Sequence, residues 1–215
     1  MSTVETPPSL IPDPAYAVPA DRARLERAAA ALSSRGMTAR IVSTGQDARA
    51  AIDQLIPDGS LVYNTTSRTV DDIGVAADIR TATRYRSTRA HTETLDPGTQ
   101  MDEFRRHVST MDVIVGSVHA ITEDGHAVIA SASGSQLAAY AFGASKVIWV
   151  VGAQKVVTDL DMAFDRIERH SYPLEDARAK AAYGMSSVIG KRLVVSHEVT
   201  PNRITVLILE EAVGF

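Results

Sequence analysis

Residues 39–63 read ARIVSTGQDARAAIDQLIPDGSLVY. Ala39 to Ser43 has the composition of a short strand. Thr44 is followed three residues later by Asp47, the spacing of a helix N-terminal cap. Ala48, Ala51, Ile52 and Leu55 then share one helical face, and Pro57 ends it. Asp58-Gly59 turns the chain, and Ser60 to Tyr63 reads as a second strand. Parallel strands cannot be joined by a tight turn; they need a crossover, usually a helix. A strand–helix–strand unit of this kind therefore predicts a parallel sheet and an α/β fold.

The alternation continues on both sides. Upstream, Leu25, Ala28, Ala29 and Leu32 mark a helix that Gly36 stops. Downstream, Val70, Ile73, Ala76 and Ala77 suggest a short helix, Tyr85 an edge strand, and Pro97-Gly98 a break. Thr99 and Asp102 have capping-box spacing before a helix with Met101, Phe104 and Val108 on one face. Val113–Val115, Ala127–Ala130, Lys146–Val151, Arg192–Val199 and Arg203–Leu209 read as strands, with Asp124-Gly125 turning into the second of them. Ser135–Phe142 reads as a short helix closed by Gly143. Thr158 is placed to cap a helix with Leu160, Ala163, Phe164 and Ile167 inward, and Pro173 restarts the chain into a helix toward Tyr183. The expected architecture is α/β, a mostly parallel sheet of about six strands flanked by helices on both faces. The proline-rich residues 1–19 are expected to form a flexible or extended arm, and residues 20–215 a single domain.

Composition narrows the function. The chain has 215 residues, with 22 Lys plus Arg against 26 Asp plus Glu for a net charge of −4, and no cysteine. Without cysteine it can build no disulfide, zinc ribbon, thiolate-ligated cluster or cysteine nucleophile. A mildly acidic chain is poorly suited to nucleic acid, whose binding rests on clustered cations. The N-terminus lacks the basic start and apolar run of a signal peptide, and every apolar run is strand-sized, so a cytoplasmic protein off the membrane is expected. The six histidines show no zinc-protease spacing and no acidic loop has calcium-binding spacing, so no metal site is expected. Arg80, Arg84, Arg86 and Arg89 form a basic stretch that suits either an anionic partner or a solvated edge.

Ligands of open α/β sheets bind outside the carboxyl ends of strands. Three segments qualify. Asn64, Thr65, Thr66 and Ser67 follow a strand and precede a helix, where short polar side chains serve either an anion or a helix cap. Ser131 to Ser135, with Ser133, Gly134 and Ser135 at its turn, offers small residues through which backbone can approach a ligand, or simply a tight turn. The segment Gly116 to Gly125 holds His119 and Glu123, either of which can move protons if placed against a substrate; Asp124-Gly125 is also an ordinary turn.

Four stretches together, Met111–Gly125, Ser133–Gly152, Lys155–Ile167 and Arg203–Phe215, resemble the LUD domain, the lactate-utilisation domain of the lactate-utilisation protein C family. The resemblance covers roughly residues 22–215 and is closest to short, stand-alone members. It implies the fold shared by ribose-5-phosphate isomerase, glucosamine-6-phosphate deaminase and CoA transferases. The Asp-Gly hairpin and small-residue turn also resemble methylthioribose-1-phosphate isomerase and initiation-factor 2B-like proteins, in which the equivalent loops face a sugar phosphate or nucleotide. An anion pocket of Asn64, Thr65, Thr66, Ser67, Ser133, Gly134 and Ser135 is implied. Two departures stand out. The isomerases carry a catalytic Asp just after the glycine matching Gly116, where this chain has Ser117, Val118 and His119. Many short relatives carry a Cys-rich stretch that is missing between Tyr172 and Thr200. The implied role is a component of lactate or organic-acid utilisation that binds a small anionic metabolite or nucleotide. No cofactor is expected in this chain, and iron–sulfur clusters belong to oxidoreductase partner subunits. A stand-alone isomerase or CoA-transferase-like enzyme using Glu123 or His119, and a non-catalytic ligand-binding module, are the alternatives. Fold-level analogy suggests a homodimer through the helical faces.

Overall fold

The structure is a computed structural model and describes residues 10–96 and 98–215. Pro7 and Pro8 of the arm, and Pro97 of the Pro97-Gly98 break, lie outside the described residues. In chain order the elements are α1 (Arg22–Ser34), β1 (Thr38–Val42), α2 (Gly45–Leu55), β2 (Leu61–Asn64), α3 (Arg68–Asp72), α4 (Val75–Thr81), β3 (Arg86–Ser87), α5 (Arg89–Thr92) and α6 (Met101–His107). There follow β4 (Val113–Gly116), β5 (Ala120–Thr122), β6 (Ala127–Ser131), β7 (Lys146–Gly152), β8 (Val156–Val157), α7 (Leu160–Arg166), α8 (Tyr172–Tyr183), β9 (Lys191–Val195) and β10 (Ile204–Leu209).

Six strands form the main sheet in the order β1-β10-β7-β4-β2-β3, and every pair is parallel. The opening strand–helix–strand unit is present. Thr44 and Asp47 make a reciprocal capping box at the start of α2. Its two strands are not neighbours, however: β10, β7 and β4 lie between β1 and β2. Alternation along β7 shows how the sheet divides the core. Val147, Trp149 and Val151 face one cluster with Leu25 and Leu32 of α1, while Ile148 and Val150 face another with Ile52 of α2 and Ile79 of α4.

A second sheet, β8-β5-β6-β9, was not expected as a separate layer. Its hairpin β5–β6 turns at Asp124-Gly125, with Gly125 at a positive φ. Ile121 and Ile129 pack toward α1 and the main sheet, while Ala120, Val128 and Ala130 pack toward Ala163 of α7. The strands at 127–131 and 191–195 thus belong to this layer and not to the parallel sheet. Because β6 is buried on both faces, it carries the same apolar run as a central parallel strand.

Several local expectations differ. The α6 helix starts at Gln100 without a side-chain cap, because the Thr99 hydroxyl donates to Asp96 instead. Asp159, not Thr158, caps α7 by accepting from the Met162 amide at 2.9 Å. The short helix expected at 135–142 is present and ends at Gly143, but its second half, Ala139–Gly143, is a wider π-helical turn, and Arg203 donates to the carbonyls of Ala139, Tyr140 and the following Ala144. The described part of the arm is docked, not free. Pro14–Ala17 forms a helical turn, Tyr16 is buried beside His170, and Asp13 accepts from Arg169 while its backbone pairs with Arg169 and His170. Proline stiffens this segment and one aromatic anchors it.

Candidate functional site

All strands of the main sheet point the same way, so the loops after β2, β4 and β7 and the tail after β10 emerge along one edge. Beside that edge lies the end of β6. Between them is a cleft of roughly 510 Å³. Thr65, Thr66 and Ser67 form one wall, Ser117 and His119 the base, Ser131 to Ser133 the opposite wall, and Tyr172, Arg178 and Phe215 the rim.

The base is tightly built. A side chain at Gly116 would collide with the Tyr140 hydroxyl and lie 2.6 Å from Thr65 Oγ1, so only glycine lets these groups converge. Burial raises the Tyr140 pKa far above its ordinary value, so it stays a neutral phenol. Lys155 ends the turn after β7 and is 2% exposed. Its Nζ donates to Thr69 Oγ1 at 2.8 Å and Ser117 Oγ at 3.0 Å. Burial, then the charge of Arg166, pushes this amine well below its ordinary pKa, with Asp72 opposing. Arg166, at the end of α7, is fully buried. It donates to the carbonyls of Gln154 and His119 and to Ser171 Oγ, while Nη2 has no partner among the described residues. Burial lowers its pKa to about 10, so it remains charged at neutral pH. Among the described residues neither basic group has a carboxylate partner.

His119 lies in the cleft. Its Nδ1 accepts from the Ala130 amide at 3.1 Å, which assigns the remaining proton of the neutral ring to Nε2. Burial, then Lys155 and Arg166, lowers its pKa to about 3. It is therefore a neutral hydrogen-bond donor at physiological pH, with no free basic nitrogen.

The other expected residues divide. Thr65, Thr66, Ser67 and Ser133 line the cleft; Asn64, Gly134 and Ser135 do not. Asn64 is buried behind the loop, where its carbonyl and the Thr66 hydroxyl are held by Arg89 at 2.9 and 3.0 Å. The amides of Gly134 and Ser135 are already bonded to Ser131 Oγ and Ser133 Oγ. Glu123 is outside the cleft, with its carboxylate held by Arg24 and Arg27 of α1 at 2.6 and 2.7 Å. Of the basic stretch, Arg84 pairs with Asp53 and Asp58, and Arg80 and Arg89 pair with Glu93. Sequence reasoning missed Lys155, Arg166, Ser117 and Thr69 as site residues. The available signal was a lone lysine between a strand end and the apolar pair Val156-Val157.

Two other clusters of polar side chains lie away from the cleft. His91 of α5 with Glu103 and His107 of α6 brings three donor atoms within 4.8 Å of one another, a grouping the sequence spacing did not disclose. It is a half-exposed surface cluster that does not line the cleft. A shallower groove beside α2 contains Arg49, Asp72 and Asp78, but Arg49 and Asp78 satisfy each other. Among the described residues no helix is long and apolar enough to cross a membrane.

The LUD domain family model matches residues 25–209. A DUF162 family protein from Deinococcus radiodurans has a similar structure, with a TM-score of 0.54 at 12% identity over 89% of this chain and 99% of that one. Weaker similarity extends to eIF2B beta from Chaetomium thermophilum, with a TM-score of 0.37 at 14% identity over 54% of this chain and 43% of that one. No curated protein matches the chain.

Proposed function

We propose that this chain, which belongs to the LUD-domain family, binds a small anionic metabolite in the cleft as a component of lactate or organic-acid utilisation. The observation that carries this reading is the Arg166 guanidinium, buried and, among the described residues, with one nitrogen unpaired and no carboxylate partner. An uncompensated buried charge costs several kcal/mol. An anion just beyond Ser171 and His119, the groups Arg166 holds, offsets that charge, and the hydroxyls of Thr65, Thr66, Ser67 and Ser133 supply donors around it. In this reading the protein is cytoplasmic, works as a homodimer, and leaves iron–sulfur chemistry to oxidoreductase partner subunits, since it has no cysteine.

Thermal denaturation in rising phosphate, lactate, pyruvate, ribose 5-phosphate or acetyl-CoA tests the binding. A ligand specific to the native state raises the midpoint in proportion to RT ln(1 + [L]/Kd). At least one of these anions is expected to stabilise beyond sodium chloride of equal ionic strength, and Thr65→Val is expected to weaken that gain. Equal effects of all anions and chloride overturn the reading.

A further inference from the structure

We propose that Lys155 is a nucleophilic amine that forms a reversible Schiff base with a 2-oxo acid in the cleft. The inference rests on the anion-binding reading and names its substrate class.

The hydrogen bonds around Nζ carry the argument. Ser117 Oγ donates its own proton to the Val150 carbonyl at 2.7 Å, so toward Lys155 it can only accept. Thr69 Oγ1 likewise donates to the Val213 carbonyl, at 3.4 Å, and accepts from Lys155. Two acceptors match the two N–H groups of a neutral amine. The third position of the neutral amine is a lone pair, and Lys155 lines the cleft. A desolvated lysine beside another cation is the environment in which an amine becomes a nucleophile.

The neighbours select the electrophile. An amine needs a carbonyl carbon, and the charge of Arg166 needs an anion. Arg166 lies near enough for its charge to act on both Lys155 and His119. A carboxylate on the carbon next to the carbonyl puts both groups on one small molecule beside Lys155, Ser171 and His119, whereas a sugar phosphate separates its carbonyl and its charge by several bonds. In the step, the Nζ lone pair forms a bond to the carbonyl carbon and the C–O π bond breaks. Both amine hydrogens then leave with that oxygen as water, giving the C=N bond. The Nε2–H of His119 is the available donor to the oxygen as negative charge develops on it.

The chain has four lysines, Lys146, Lys155, Lys180 and Lys191, which makes the test direct. The full chain is incubated at neutral pH with pyruvate or glyoxylate and sodium borohydride, digested, and mapped by mass spectrometry. Each unit fall in amine pKa gives about tenfold more free amine. Lys155 is therefore expected to gain the mass of pyruvate less one oxygen at least about tenfold more than Lys180, although Lys180 is more exposed. Lactate, which lacks the carbonyl, is expected to give no adduct. Even labelling of the four lysines, or preferential trapping of ribose 5-phosphate, overturns the inference. Thermal stabilisation by pyruvate without an adduct at Lys155 also overturns it, while leaving anion binding intact.

Discussion

Glu123→Gln is expected to cost stability and to leave ligand binding unchanged. Its two oxygens accept from Arg24 Nε at 2.6 Å and Arg27 Nε at 2.7 Å, clamping the hairpin turn onto α1. The glutamate side chain is 17% exposed, Arg24 31% and Arg27 56%, so the first contact is sheltered and the second screened. A sheltered charge-assisted bond contributes about 1 kcal/mol and a screened one a few tenths. The loss is then about 1–1.5 kcal/mol, or roughly 2–6 °C in midpoint for a chain of this size. Burial alone would raise the Glu123 pKa, but Arg24 and Arg27 outweigh it and hold the carboxyl below its ordinary value. With the folded pKa depressed, the stabilisation is complete above the unfolded value of about 4.3 and is lost as pH falls through the lower folded value. Urea denaturation of both proteins followed by circular dichroism at pH 7 should show the difference, and it should shrink below pH 4. The thermal gain from the best anion at pH 7 should be equal in both. A variant of unaltered stability that has lost its anion response would refute the structural account and return Glu123 to the site.

Three further outcomes are expected. Gly116→Ala forces a methyl group against Tyr140 and Thr65, and should cost about 1–3 kcal/mol in urea while weakening anion stabilisation, since the cleft base must move. Arg203→Met should cost about 3–5 kcal/mol by the same assay, because it strands buried Glu198 and the carbonyls of Ala139, Tyr140 and Ala144. His119, with a folded pKa of about 3, should show the neutral Nε2–H tautomer by 15N NMR throughout pH 5–8; because the unfolded chain takes up that proton near pH 6.5, this residue's contribution to stability should fall on acidification below that pH.

The sequence disclosed the parallel sheet because a crossover helix leaves its period and caps in the local chain. It did not disclose that β1 and β2 are separated by three strands, since strand order depends on which buried faces pair and nothing in residues 39–63 records it. The second sheet was hidden for a related reason. An alternating pattern betrays a sheet with one wet face, but β6 is apolar from Ala127 to Ala130, covered by α1 and the main sheet on one side and α7 on the other. His119 and Glu123 looked like one polar loop, yet β5 runs between them and delivers one to the cleft and the other to α1. Thr65, Thr66 and Ser67 were legible as cleft-lining residues because short polar residues after a strand carry the same chemistry wherever the sheet places them, whereas Asn64 is buried behind them. Lys155 and Arg166 were not, because a long basic side chain usually signals solvent, and only the three-dimensional packing removes it.

That burial is what lets an acidic chain accommodate the anionic ligand proposed above. At −4 the net charge gives no long-range attraction for anions, and through physiological salt its field fades within about 8 Å. Arg166 works under different terms. It is removed from water and, among the described residues, no carboxylate pairs with it, so at short range its field is far less screened than that of a surface arginine. Arg178 on the rim illustrates the contrast, since Glu175 neutralises it through two bonds of 2.7 Å. Burial is the first cause that lowers the pKa of Lys155 and of His119, and the charge of Arg166 adds to it at both. In the proposed reading, burial and one guanidinium together set both properties of the cleft: a charge that an anion offsets, and beside it an amine that holds its proton less tightly than usual and a neutral imidazole. A carboxylate would satisfy the first, and the carbonyl attached to it would meet the second.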